Sequence, residues 1–388
     1  MKIGVISNVD ANHGSCVFNF SLTSMMASAF PKARLKFLNY ATPSWYLYEY
    51  LRAVKPQPKI PHFNLARFIR LIGSNYRNLD IEDAVPLPFL NNNYDLLVKK
   101  LASKNFDVLV VGKVVWDIAK IWQTNKFPNL FWLSEQIPAS KIAYAVSGHR
   151  TDLRQFEQVK DRVRQILNSY KMIGVRDQIT HQMIVEAGLD SEVYVRRVPD
   201  PAFFFENRAV DVNALLKRHG LDPQRPIFGL LLYGQPELSL TVREHYRRKG
   251  YQIVNFNMLN PYADFNLGHK VNPFEWAALF KSLTCCLTDR FHCSIFCLRE
   301  GVPFVGIEPF APPTAANSKV LDLLSHFSLH SFYRNSFDPA FRLDELIDTL
   351  EKAETFWQAD CLPAIQTQLI EDRKVKEEFF NHMQTIIN

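Results

Sequence analysis

No run of apolar residues in this chain approaches the roughly 20 needed to span a bilayer. The opening MKIGVISNVD reads as a strand and lacks the architecture of a signal peptide. A cytoplasmic protein is therefore expected, with possible contact at the inner face of a membrane. The sequence contains no G-x-S-x-G elbow, no P-loop and no G-x-G-x-x-G fingerprint, which weighs against serine hydrolases, P-loop enzymes and NAD-type enzymes. No cluster of carboxylates or histidines stands at metal-ligand spacing, so no metal is expected. Short-period repeats and low-complexity tracts are missing too.

A concentrated charge is also missing. The formal net charge is +6 and the pI about 8.9, spread along the chain instead of gathered in one basic tract. This balance suits an anionic substrate or an anionic surface, and no nucleic-acid partner is expected. The six cysteines are Cys16, Cys285, Cys286, Cys293, Cys297 and Cys361. Cys293 and Cys297 have the spacing of one helix face, whereas zinc needs ligand pairs on open loops, so core thiols in a reducing compartment are expected.

What is present is enough apolar material for two domains: 388 residues, 47% hydrophobic and 22% charged. KIGVISN, FDVLVVGK, KIAYAVSG and MIGVRD are apolar runs closed by small or polar residues, with helical patterns such as LRQFEQVKDRVRQILNSY between them. A second series follows with IFGLLLYG, YQIVNFNM, CCLTD and VPFVGIE. Strand-helix alternation of this kind implies α/β architecture with parallel sheets. Two Rossmann-like domains facing across a cleft are expected, residues 1–205 and 206–388, joined by a Pro-bearing segment near 205–225. A Pro- and Phe-rich excursion at about 54–95 leaves the first sheet. Its helix around LARFIRLI carries Arg67 and Arg70, read as a solvated face with snorkelling arginines or as a contact to a membrane surface or a lipid-linked acceptor.

Ligands of open α/β sheets sit at the carboxyl ends of strands, so polar residues there carry most weight. In TDRFH the strand CCLT gives way to the helix SIFCLREG, which places Asp289, Arg290 and His292 at a corner where a helix N-terminus already favours an anion. Arg290 can fork two hydrogen bonds onto a phosphate or carboxylate, and His292 can donate or carry a proton near neutral pH. The plainer alternative has Asp289 capping the helix and pairing with Arg290, with His292 incidental. The strand IGV ends in Arg176 and Asp177, with Thr180 on the helix that follows. A second arginine at the mouth of a sheet suits a small dianion or trianion, and strand-end charge is also ordinary capping. Ser147, Gly148 and His149 follow another strand, where Gly148 permits a tight turn and a close backbone approach; a hydrophilic loop is the alternative. Arg290, His292 and Arg176 are expected to face the cleft. For an enzyme of this kind, cation-assisted transfer is the default chemistry.

Taken in order, these segments resemble the polysaccharide pyruvyl transferase family. The resemblance rests on N-H-G-S after the first strand (Asn12 to Ser15), Ser147 and Gly148, VRD with Thr180, EAGLD before a strand, and VPDPAF from Val198 to Phe203. It continues with R-x-H at Arg290 and His292, then GVPFV, then Lys319 opening another helix. The R-x-H…G-x-P part is the most specific. The family's first loop commonly reads N-x-G-D, and Ser15 stands where that acid would be.

The resemblance implies a two-domain fold similar to GT-B glycosyltransferases. It also implies transfer of pyruvate from phosphoenolpyruvate to two hydroxyls of a sugar as a cyclic ketal, with no cofactor besides that donor. His292 and Asp289 become the candidate catalytic residues. Arg290, Arg176, Ser147, Gly148, His149, Asn12, Gly14, Lys319 and Glu308 become candidate substrate ligands. The acceptor, a glycan or lipid-linked sugar, falls to residues 1–205 and the donor to 206–388. Two alternatives stand beside this reading. One is a GT-B nucleotide-sugar glycosyltransferase, with basic residues on the diphosphate and Glu308 on a ribose; the other is a catalytically inactive partner in polysaccharide assembly.

Overall fold

A computed structural model of the chain describes residues 1–40, 47, 51, 54, 63–84, 93–118, 127–189, 191–233, 235–308 and 318–387. Within the excursion expected at about 54–95, the segments 55–62 and 85–92 lie outside the described residues.

The strands are β1 (Lys2–Ser7), β2 (Arg34–Asn39), β3 (Ile81–Asp83), β4 (Val108–Val114), β5 (Ser140–Ser147), β6 (Tyr170–Val175), β7 (Tyr194–Arg197), β8 (Ile227–Leu231), β9 (Gln252–Asn255), β10 (Phe265–Asn266), β11 (Cys285–Thr288), β12 (Phe304–Ile307) and β13 (Tyr333–Arg334). The helices are α1 (His13–Ala29), α2 (Phe63–Asn78), α3 (Tyr94–Ala102), α4 (Leu153–Leu167), α5 (Gln178–Glu186), α6 (Val212–Arg218), α7 (Pro236–Arg248), α8 (Pro273–Leu279), α9 (Phe291–Glu300), α10 (Lys319–His326), α11 (Leu343–Phe356) and α12 (Leu362–Ile387).

Two sheets result, one of seven strands in the order β3-β2-β1-β4-β5-β6-β7 and one of six in the order β10-β9-β8-β11-β12-β13. Every pairing described is parallel. The α/β expectation is met, and for a simple reason. A parallel strand covered on both faces must be apolar throughout, so runs such as VLVV and CCL announce themselves. The edge strand β7, YVRR, is only half-buried along its length, and its Arg196 pairs with Glu378 at 2.6 Å.

The chain divides into two compact units, Met1–Val54 with Ile72–Pro201 and Asp372–Asn388, and Lys55–Leu71 with Ala202–Glu371. The units therefore interleave in sequence, where the reading above drew one crossing near residue 205. The last part of α12 belongs to the first unit because its aromatics pack there, Phe379 lying 5.3 Å from Tyr144 and 6.1 Å from Tyr194 between ring centroids. Elsewhere in the first unit Trp116 stacks on Trp132 at 4.9 Å. The core of the second includes Phe228 stacked on Tyr246 at 3.8 Å. All six cysteines are buried, and burial pushes the Cys285, Cys286 and Cys293 thiols well up, as suits packing groups. Among the described residues no helix is long and apolar enough to cross a membrane.

α2 corrects one expectation. Arg67, read as a solvated snorkelling residue, is 4% exposed, and its Nη1 donates to the carbonyl of Asn257. Arg70 donates from Nε to the carbonyl of His269 at 3.1 Å, and the outward position goes to Ile69, 62% exposed. The arginines crowd positive charge around His269. Its pKa is pushed down to about 4, by burial first and then by Lys270, Arg70, Arg67 and His219. A histidine that titrates lower in the fold than its unfolded value of about 6.5 binds more protons unfolded. Stability therefore falls as pH drops from about 6.5 towards 4. His269→Gln is expected to flatten that part of a plot of urea midpoint against pH, and an unaltered slope would show that other groups set it.

Candidate functional site

In the second unit β8, β11, β12 and β13 are neighbours and run parallel, so the residues after them share one edge of the sheet. The chain order reverses between β8 and β11, since β9 lies on the other side of β8. Such a reversal opens a crevice at the carboxyl ends of the two strands. Tyr233 follows β8 there, and Asp289 and Arg290 follow β11.

Asp289 is 1% exposed. Its Oδ2 accepts from the Tyr233 amide at 2.7 Å, and its Oδ1 lies 2.8 Å from Arg290 Nε. Burial raises its pKa, opposed by Arg290 and the Tyr233 amide. It does not cap α9: the N-cap is Arg290, with no side-chain capping bond, and this corrects half of the plainer reading above. The pairing half holds. Arg290 Nε approaches Asp289 closely but outside hydrogen-bonding geometry, and among the described residues Arg290 Nε and Nη2 are buried without a hydrogen-bond partner. The guanidinium carbon sits 5.0 Å from the Tyr233 ring centroid, so the fork is held from two sides with part of its donor set unused.

His292, half-buried, is the second residue of α9, its ring 5.5 Å from that of Phe291. Lys319 opens α10 and places Nζ 5.8 Å from the same Phe291 ring. Glu308, after β12, is 8% exposed and accepts through Oε2 from Ser318 and, at 3.1 Å, from Tyr333. Burial raises its pKa, and the Ser318 and Tyr333 hydrogen bonds and then Lys319 oppose that. Asp289, Arg290, His292, Glu308 and Lys319 thus come from one edge of one sheet.

In the first unit the strand ends are knitted together. Ser147 Oγ lies 3.2 Å from His149 Nδ1, which is 4.0 Å from Asp117 Oδ1. The Gly148 amide donates to Thr180 Oγ1 at 2.7 Å, and that hydroxyl donates to Asp177 at 2.6 Å. Gly148 is there for close approach: a Cβ would meet the Trp116 carbonyl oxygen at 2.8 Å and Thr151 Oγ1 at 3.1 Å. Gly148→Ala is accordingly expected to cost about 1–3 kcal/mol by overcrowding, read as a lower urea midpoint; an unchanged midpoint would mean that the turn yields freely.

Three further candidates have structural partners within the first unit. Arg176 has a side chain 4% exposed and lies 2.8 Å from Asp200, itself 1% exposed, so its charge is balanced within the first unit. Breaking such a pair by removing one partner costs about 3–5 kcal/mol, which marks it as fold-bearing. Asn12 is the N-cap of α1, accepting from the Ser15 amide at 3.4 Å. Gly14, expected in a loop, is buried within the first turn of that helix.

Sequence reasoning missed Asn8, Asp10 and Lys113. Lys113 Nζ donates to Asp10 Oδ2 at 2.8 Å and to Asn8 Oδ1 at 2.9 Å. The signal was a lone cation in the run VVGKVV and a lone acid in SNVDAN. Among the described residues no group of three His, Cys, Asp or Glu side chains could hold a metal ion.

The sequence profile of polysaccharide pyruvyl transferases matches residues 44–309. The chain belongs to the polysaccharide pyruvyl transferase family. No curated protein matches this pyruvyl transferase family member. Its fold is similar to that of S. aureus MnaA solved with UDP, at 9% identity over 100% of this chain and 97% of that one, with a TM-score of 0.55. It is also similar to the UDP-GlcNAc 2-epimerases of Neisseria meningitidis (10% identity, 96% and 99% coverage, TM-score 0.51) and Methanocaldococcus jannaschii (12%, 92% and 93%, 0.51). At such identities the likeness concerns the fold alone, and it agrees with the GT-B-like architecture expected for the family.

Proposed function

We propose that this family member transfers the pyruvyl unit of phosphoenolpyruvate to two hydroxyls of a sugar, in a polysaccharide or its precursor, closing a cyclic ketal. The observation that carries the reading is Arg290. Its guanidinium is fixed by Asp289 and Tyr233 while a buried Nη2 stays unsatisfied among the described residues, at a helix N-terminus, where a phosphate or carboxylate is favoured. Phosphoenolpyruvate carries both groups. Lys319 supplies a second cation on the same sheet edge, a role the sequence reading had given to Arg176.

The chemistry asks for an acid near this anion site. Protonating the methylene carbon makes the neighbouring carbon electrophilic, one sugar hydroxyl adds there, phosphate departs, and the second hydroxyl closes the ring. Of the two hydroxyl protons, one balances the proton given to carbon and the other leaves with phosphate. His292 is the group assigned to that first proton, and Asp289 positions Arg290. Arg290, Lys319 and the α9 N-terminus stabilise the leaving phosphate. The proposal places the protein in the cytoplasm, acting on a glycan or on lipid-linked sugars presented at the inner face of the membrane.

The test is phosphate release from phosphoenolpyruvate against a panel of glycans and lipid-linked sugars, with nucleotide-sugars run in parallel. Release that depends on a sugar supports the reading. Consumption of a nucleotide-sugar alone would replace it with the glycosyltransferase alternative, for which Glu308 is poorly free, since it already accepts from Ser318 and Tyr333.

A further inference from the structure

The first sheet has its own reversal of chain order, between β1 and β4, because β2 lies on the other side of β1. Ligands of open parallel sheets bind outside the strand ends at such a reversal. Asn8 and Asp10, just after β1, and Lys113, near the end of β4, meet at this one. Besides the Lys113 contacts, Asp10 Oδ1 accepts from the Asn12 amide at 3.2 Å, and Asn8 Nδ2 approaches Asp10 Oδ2 at 3.5 Å. The Lys113 side chain is 9% exposed and that of Asp10 13%, so the pair is sheltered yet reaches the surface.

The backbone pays for this arrangement. Lys113 holds φ at +87°, where glycine is at ease and a long L side chain is strained, and the register of β4 against β5 shifts between Gly112 and Lys113. Strain of this kind persists where the surroundings enforce it, often at binding sites. Unsatisfied groups lie close by in the chain. Ser7 Oγ and Asn19 Oδ1, on residues 1% exposed, have no hydrogen-bond partner among the described residues, and Asn19 Nδ2 donates to the Asn8 carbonyl at 3.1 Å.

We propose that the Asp10–Lys113 pair binds the hydroxyls of the sugar acceptor. The pair is electrically balanced, which disfavours an anion such as phosphoenolpyruvate and suits a neutral, hydroxyl-rich ligand: a carboxylate accepts from O–H groups and an ammonium donates to oxygen. The inference rests on the transferase reading only in calling the sugar an acceptor; sugar binding is measured without donor.

The probes are methyl pyranosides of gluco, galacto and manno configuration, followed by saturation-transfer NMR on the full chain, with phosphoenolpyruvate affinity measured separately by calorimetry. Asp10→Asn is expected to weaken sugar binding by about 10- to 100-fold, the loss typical of a charge-assisted hydrogen bond, and to leave phosphoenolpyruvate affinity within about twofold. The double variant Asp10→Asn with Lys113→Gly removes both charges and relieves the +87° backbone. It is expected to melt at or above the wild-type temperature while losing sugar binding. A lower melting temperature with sugar binding intact would make the pair a structural ion pair and overturn the inference. Failure of every pyranoside to bind the wild type would overturn it as well. If sugar binding depends on Asp10 yet phosphoenolpyruvate is never consumed, the inference stands and the pyruvyl reading fails. If phosphoenolpyruvate is consumed and Asp10→Asn leaves the acceptor KM unchanged, the inference fails and that reading stands.

Discussion

His292→Ala is expected to lower turnover by about 10²- to 10⁴-fold, the usual contribution of a positioned general acid, while donor affinity stays nearly intact. The imidazole stands on the first turn of α9, two residues after Arg290, and this proximity in the chain is the ground for assigning it the proton of the proposed reaction. The nearby Asp289 is already engaged with the Tyr233 amide and Arg290. An imidazole that only delivers a proton contributes to the transition state and little to ground-state binding, which is why the loss should fall on the rate. The check is a single-turnover rate at saturating phosphoenolpyruvate beside a directly measured donor Kd. A weakened Kd with an unchanged rate would reduce His292 to one more anion ligand.

The sheets were legible because a parallel strand covered on both faces leaves a continuous apolar run, and the strand-end charges were legible as positions. Their partners were not. Whether Arg176 faces a ligand depends on Asp200, 24 residues later, and on β6 and β7 lying side by side. Lys113 and Asp10 are 103 residues apart, and neither sits in a pattern that marks a site. The left-handed backbone at Lys113 was hidden as well, because sequence reading looks for that conformation at glycine. α1 begins at His13 because Asn12 caps it. Gly14 and Ser15, poor helix formers, disguise the start. Arg67 misled through its charge: an arginine at a helical spacing normally faces water, and this one turns inward to donate to the carbonyl of Asn257.

Arg290→Lys is expected to weaken phosphoenolpyruvate by about 10- to 100-fold, equivalent to one charge-assisted hydrogen bond of about 1.5–3 kcal/mol, with the rate at saturating donor changed far less. Charge is conserved, so the loss isolates geometry. The guanidinium approaches Asp289 through Nε at 2.8 Å and lies 5.0 Å from the Tyr233 ring centroid, and its Nη2 still has no partner among the described residues. A planar fork can serve the carboxylate with one edge and a donor anion with the other. An ammonium is a single point that must choose between them, and beside a carboxylate 1% exposed it should choose Asp289. The double variant Asp289→Asn with Arg290→Lys supplies the control: with that competing charge gone, part of the donor affinity should return. No recovery there would mean that Asp289 does not position the cation. An unchanged donor Kd in Arg290→Lys, together with an unimpaired His292→Ala enzyme, would make this corner an ordinary paired helix end and favour an inactive partner in polysaccharide assembly.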